Sequence, residues 1–288
     1  MTTETLDRKN WLLNAGIYFL IAGVFLWLCY PIMAFMWELW FESETHNNGV
    51  LIPLVSGYLV WGKRDQLRQW TITASWRGFI FLLFAALIFT AGIIGAERFT
   101  QEVSMVLLLI GVVWFNFGNR FCRAMAFPLL LLFLMIPPPH IFYNNLSVKL
   151  QLLSTKISMF FLHLIGVTVY SEGNIIYLPS MQLEVAAACS GIRSLFSLFT
   201  LGVIFAYIAQ KRSSARLLLA LSSIPIAILF NGLRISGTCI LAQYWSPKIT
   251  DSFNHFMSGW VVFIFAFAVM LLINKIIDKV LNYTQRHN

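Results

Sequence analysis

Long apolar runs, separated by short charged or proline-rich connections, leave this chain few ways to fold. They recur from Trp11 to Ile273. In lipid each must satisfy its own backbone hydrogen bonds, because hydrocarbon offers no partner to an open N–H or C=O, and a helix does this within one segment. Composition agrees: 59% of the residues are hydrophobic and 11% charged, about half the charge of a soluble domain. The 288 residues suit an all-α polytopic membrane helix bundle of about eight transmembrane helices in a single domain, 1–288. The net charge of +8 would fit a nucleic-acid binder, but the basic residues gather at the ends of apolar runs, as the positive-inside rule expects. No nucleic-acid partner is expected; membrane lipid is. The first run is too long for a secretory signal and lacks a cleavage pattern. Cys29, Cys122, Cys189 and Cys239 show no CxxC or His-rich spacing, so neither a disulfide framework nor a metal site is expected, and no cofactor.

Spans are expected at Trp11–Ala34, Val50–Trp61, Gly78–Gly95, Val103–Phe117, Ala124–Ile136, from Cys189 to the Lys211 cluster, at Leu217–Leu241 and at Phe256–Ile273. The second is short for a full crossing. The fifth stops at Pro137-Pro138-Pro139, which cannot continue a helix. With both termini in the cytoplasm, Lys63–Arg77, Arg120–Arg123, Lys211–Arg216, Lys275 and Lys279 lie inside. His46, Glu97–Glu102 and the triple proline lie outside. Residues 146–167 look like another span, yet Ser147, Gln151, Ser154, Thr155 and Ser158 recur at three- and four-residue steps. That polar stripe predicts an interfacial or re-entrant amphipathic helix. If it does not cross, every basic cluster falls inside and residues 137–188 stay outside. Tyr170–Val185, with Gly173-Asn174 at its middle, reads as a small external hairpin.

The chemistry gathers near Cys189. If a helix starts there, orphan N–H groups and the positive end of the helix dipole favour its thiolate. Arg193 adds charge one turn on. The bland alternative is a small-residue lead into a membrane helix, with Cys189 as a small hydrophobe. Arg234 lies 18 residues past the inner end of its span, about 27 Å up and close to the outer boundary of a roughly 30 Å core. It can snorkel, but Asn231-Gly232-Leu233-Arg234-Ile235-Ser236-Gly237 points to close helix packing and a bundle-facing guanidinium. His255 begins the last span at the same level. A nucleophile, a fixed cation and a general base are thus expected at one depth. Glu184 orients a catalytic cation or substrate, or simply faces solvent. His46, His140 and His163 are expected to be structural or interfacial.

These residues also resemble a family. Ala188-Cys189-Ser190-Gly191-Ile192-Arg193, then Asn231-Gly232-Leu233-Arg234, then His255 before a final span, are similar to exosortases, of the exosortase/archaeosortase group. His46-Asn47-Asn48-Gly49 with Ile52-Pro53 and Trp61 is similar to an early His-Gly…Pro…Trp element, with Asn inserted between His and Gly. Phe127-Pro128 and Ile136-Pro137-Pro138-Pro139 resemble the middle section. The resemblance implies a membrane-embedded cysteine protease or transpeptidase, with a catalytic core at about 125–275. Its substrates would be exported proteins with a C-terminal sorting signal of the PEP-CTERM kind: a short motif, a transmembrane helix and a basic tail. It further implies Cys189 as nucleophile, Arg234 as catalytic arginine and His255 as third member, through a thioester acyl-enzyme. His at that last position points to the bacterial branch, hence to the cytoplasmic (inner) membrane with the site facing the periplasm. Glu184, Ser190, Arg193, Asn231 and His46 are the supporting or substrate-binding candidates; Arg193 would neutralise an acidic residue of the sorting motif. The competing reading is a non-enzymatic component or transporter of a polysaccharide-export system. Transporters commonly carry paired repeats with helices broken at mid-membrane, and no repeat is visible here.

Overall fold

A computed structural model describes residues 3–42, 47–71, 73–179, 181–186, 190–244 and 253–287; for 3–15, 17, 18, 47, 253–259 and 282–287 the description is of the backbone. The chain forms two compact units, Met1–Pro138 and Pro139–Asn288, that divide within the triple proline.

The first unit holds α1 (Thr3–Glu42), a 3-10 turn (Asn47–Val50), α2 (Leu51–Gly62), α3 (Arg64–Arg68), α4 (Trp76–Ile94), α5 (Arg98–Ala124) and α6 (Ala126–Leu131), which runs on as 3-10 helix over Leu132–Met135. Small residues let α4 and α5 approach closely. Gly78, Ala85 and Gly92 are buried at seven-residue steps on α4, and a methyl group on Gly111 would come within 2.9 Å of Leu82 Cα. Such contacts, rather than a hydrophobic drive, hold helices together in lipid. The carboxylate of Glu97 caps α5 by accepting from the N–H groups of Phe99 and Thr100. Those bonds, with Thr100 foremost, hold its carboxyl below the usual range.

Among the described residues, six helices are long and apolar enough to cross a membrane, or seven if 126–164 counts as one broken span. The expected eight included Val50–Trp61 and Ala124–Ile136, and these make the difference. The first forms the 12-residue α2, about 18 Å long; the second forms six α-helical residues and four 3-10 residues before the prolines end it. The two short elements pack together. Ser56 Oγ donates to the Pro128 carbonyl at 2.8 Å, and Lys63 Nζ to the Ala124 carbonyl at 2.6 Å. Within this unit the early and middle motif segments are therefore neighbours.

The second unit holds α7 (His140–Leu164), strands β1 (Tyr170–Glu172), β2 (Ile175–Tyr177) and β3 (Gln182–Glu184), then α8 (Ile192–Ala209), α9 (Ser213–Tyr244) and α10 (Phe253–His287). The expected hairpin is present and gains a third strand: the antiparallel order is β1-β2-β3. Gly173, at φ +62°, makes the tight β1–β2 turn that L-residues resist. The polar stripe of α7 turns out to face protein. Ser147, Ser154, Thr155 and Ser158 are buried, and Ser158 Oγ donates to the Gly232 carbonyl of α9 at 2.8 Å. Lys149 and Lys156 lie on exposed positions of the same helix. Thr155 Oγ1 donates within its own helix, to the Gln151 carbonyl at 2.9 Å; short hydroxyls find such partners in a helix interface, whereas lysines need water.

Leu198, Leu219, Ile226 and Met270 form a core shared by α8, α9 and α10. A second cluster, with Ile176, Val185, Leu162, Ile235 and Cys239, seats the sheet on α7 and α9. At the far end of the unit, buried Gln210 donates from Nε2 to Asn274 Oδ1 and Asp278 Oδ1, both at 2.8 Å. This ties the α8–α9 turn, with Lys211 and Arg212, to the part of α10 that carries Lys275 and Lys279.

Candidate active site

Helix α8 begins at Ile192 rather than at Cys189, because Gly191 sits in the left-handed region at φ +80°, ψ +4°. Ser190 is buried, and its Oγ accepts the Ile192 N–H at 3.3 Å, so a hydroxyl serves one of the orphan donors of the first turn. Ser194 Oγ then donates to the Gly191 carbonyl at 2.9 Å. Cys189 lies outside the described residues, two positions before the left-handed Gly191.

Gly191 is required twice over. Only glycine adopts its φ without cost, and a methyl group there would come within 2.5 Å of Asn231 Cγ. The turn that follows Cys189 thus rests on the Asn231 carboxamide of α9. Asn231 is buried and donates from Nδ2 to Ser154 Oγ of α7 at 2.8 Å. One residue on, Gly232 leaves room for Ile157, while Ser236 Oγ donates to the Gly232 carbonyl at 2.9 Å. The close packing expected of Asn231–Gly237 is borne out at Gly232; at Gly237, among the described residues, nothing outside its own helix lies within 4 Å of where a Cβ would stand.

Arg234 is half-buried one turn beyond Asn231. It borders a small cavity of about 40 Å³ together with Ser194 of α8, Phe230 and Asn231 of α9, and Val262 and Phe263 of α10. The lining is mostly apolar, with Arg234, Asn231 and Ser194 as its polar members. Such a cavity holds a water or a small group and strengthens any charge interaction made there. Arg193, half-buried in the first turn of α8, adds a second cation at this end of the unit.

The other expected residues fall as follows. His255 is in the first turn of α10, where the description is of the backbone, seven residues before the cavity-lining Val262. His46 lies outside the described residues. Glu184 is exposed on β3, and its Oε1 accepts from Asn174 Nδ2 at 3.3 Å. His163 has a structural part, a ring nitrogen 3.0 Å from the Val169 carbonyl across the turn that ends α7.

Asn174 was not anticipated. Its carbonyl accepts the Val185 N–H at 2.8 Å, and its Nδ2 donates to the Val185 carbonyl at 3.2 Å. This clamps the chain at Val185, four residues before Cys189, and the Gly173-Asn174 pair was the one sign of it. Ser154 was read as part of the polar stripe of an interfacial or re-entrant helix; its partner on α9 is 77 positions away. Phe230, Val262 and Phe263 carry no signal that separates them from other apolar residues.

No curated protein and no solved structure matches the chain. A family model described as a transmembrane exosortase matches residues 40–272, which take in both motif-bearing segments of the second unit and the short paired helices of the first. The chain belongs to the transmembrane exosortase family.

Proposed function

We propose that this protein is a membrane-embedded cysteine peptidase or transpeptidase acting on exported proteins with a C-terminal sorting signal: a short motif of the Pro-Glu-Pro kind, a transmembrane helix and a basic tail. The observation that carries the reading is the seating of Gly191 on Asn231. It sets Gly191, two positions after Cys189, against Asn231, one turn before Arg234, and this supports a shared site for Cys189 and Arg234.

The substrate's own helix holds the scissile bond at the outer membrane boundary. The Cys189 thiolate attacks the carbonyl carbon, and Arg234 faces the oxyanion that forms. The C–N bond then breaks, leaving a thioester on Cys189. The departing amine, on the fragment with the membrane helix, takes its proton from His255. Water or an acceptor amine next attacks the thioester, His255 takes the incoming proton, and the thiolate leaves. The active site faces the periplasmic side of the bacterial inner membrane, and the reacting groups all belong to the second unit of one working domain. Arg193 and Glu184 flank the site as contacts for the motif.

The test is processing of a tagged substrate with such a tail, co-expressed with wild-type enzyme or with Cys189→Ala. Cleavage that disappears in the variant at equal membrane levels is the expected result, with Arg234→Gln and His255→Gln each lowering the rate about a hundredfold or more. Cleavage that persists in Cys189→Ala overturns the nucleophile and the enzyme reading together.

A further inference from the structure

The edge of β3 that faces away from β2 has backbone groups to spare. In an antiparallel ladder, residues alternate between pairs that exchange hydrogen bonds and pairs that do not. Leu178 and Met181 exchange both bonds, and the Val185 N–H goes to the Asn174 carbonyl. With Ile176 opposite Leu183, the bonded pairs are 174/185, 176/183 and 178/181. Gln182 and Glu184 therefore aim their N–H and C=O groups outward, and both residues are exposed. The Glu184 carbonyl accepts the Ala186 N–H at 3.0 Å. Among the described residues nothing takes the Gln182 N–H, the Gln182 carbonyl or the Glu184 N–H.

We infer that this edge receives the substrate as an added strand: the extended segment flanking the scissile bond pairs with Gln182 and Glu184 on its way to Cys189. This deepens the peptidase reading and rests on it. Three observations choose this edge and this occupant. Glu184 is only five residues before Cys189 along the chain, and Asn174 clamps Val185 between them. The inner face of the sheet sits on Ile235 and Cys239, which follow Arg234 on α9. A peptide bond presented to a nucleophile must also be in an extended stretch, and main-chain pairing to a sheet edge holds such a stretch whatever its side chains. Three strand residues span about 10 Å, enough to fix two or three substrate residues. Alternate substrate side chains then lie on the outer face of the sheet. There Tyr177, stacked on Tyr170 at 4.4 Å, continues the row of Gln182. The opposite edge, β1, leads back to α7 and carries no such link to the reactive loop.

The experiment uses the full-length enzyme with Cys189→Ala, which would hold substrate uncleaved, and Gln182→Cys. It is paired with a cysteine scan through the substrate's motif region. Disulfide capture at every second substrate position is expected; capture at consecutive positions alike, or none, overturns the strand pairing. A second arm keeps Cys189. Gln182→Pro removes an outward N–H without touching the β2–β3 ladder and should slow processing on the order of fivefold, the worth of about one hydrogen bond. Ser171→Pro removes the corresponding outward N–H of β1 and should leave the rate unchanged. Equal rates for both proline variants would also sink the proposal. Cys189-dependent processing without alternating capture defeats the strand pairing alone. Alternating capture beside cleavage that ignores Cys189 defeats the catalytic reading alone.

Discussion

Gly191 shows how much a single position can carry. Its positive φ turns the chain out of the loop and into α8, and its missing Cβ lets that turn rest on Asn231. Alanine there pays for the left-handed backbone, about 1–2 kcal/mol, and must also push aside a buried carboxamide that is bonded to Ser154. Gly191→Ala is therefore expected to lower the unfolding temperature in detergent and to abolish processing. Adding Asn231→Ala removes the collision but not the backbone strain, so it should restore part of the stability. A Gly191→Ala protein as stable and active as wild type would mean that the turn does not position the site.

Elements are held by polar pairs set among apolar faces. Gln210 is the clearest case, since its buried side-chain amide joins the end of α8 to Asn274 and Asp278 of α10, while its backbone carbonyl accepts from Arg216 Nε at 2.7 Å. Leucine at 210 fills similar space but leaves Asp278 short of a donor, which costs about 1–3 kcal/mol. Thermal unfolding of Gln210→Leu should drop accordingly, and Gln210→Leu with Asp278→Leu should recover part of the loss. An additive double variant would show that the pair is solvated rather than coupled. The serines of α7 work by the same principle. In water-exposed helices such a stripe marks the outer face; here Leu152 and Phe160 share the exposed positions with Lys149 and Lys156, while on the buried face Ser158 Oγ donates to the Gly232 carbonyl of α9 and the Ser158 carbonyl accepts from Ser236 Oγ.

For the molecule as a whole, charge and length disagree about the first unit. α2 is too short to cross a full core, yet Lys63, Arg64 and Arg68 follow it, and Arg120 and Arg123 stand beside them at the α5–α6 junction through the Lys63–Ala124 bond. The orientation proposed above puts these cations in the cytoplasm, as the positive-inside rule expects; under it the short pair would have to traverse a locally thinned bilayer or lean on neighbours. Single cysteines at Arg64 and Lys211, in a chain without its native thiols, are expected to resist an impermeant maleimide in intact cells. One at Glu172 is expected to label. Labelling at 64 with protection at 211 would make the short pair a re-entrant element. Labelling at 211 would reverse the sidedness proposed for the second unit.

Much of this was legible from residue order. Apolar runs long enough to bury their own backbone must be helices in lipid, so α1, α4, α5, α8, α9 and α10 follow from composition along the chain, as does the stop at the prolines. The turn at Gly173 and the tight packing at Gly232 were also visible, because glycine leaves a local mark. The family was readable in the Cys-Ser-Gly-Ile-Arg and Asn-Gly-Leu-Arg segments, and the model match over residues 40–272 bears it out. Partner choice was not legible. Whether Ser154 meets water or Asn231, whether Asn174 clamps Val185, and which apolar residues border the cavity beside Arg234 depend on segments tens of positions apart. A hydroxyl or an amide looks the same in sequence whichever partner satisfies it, and only the packing of α7, α8 and α9 decides.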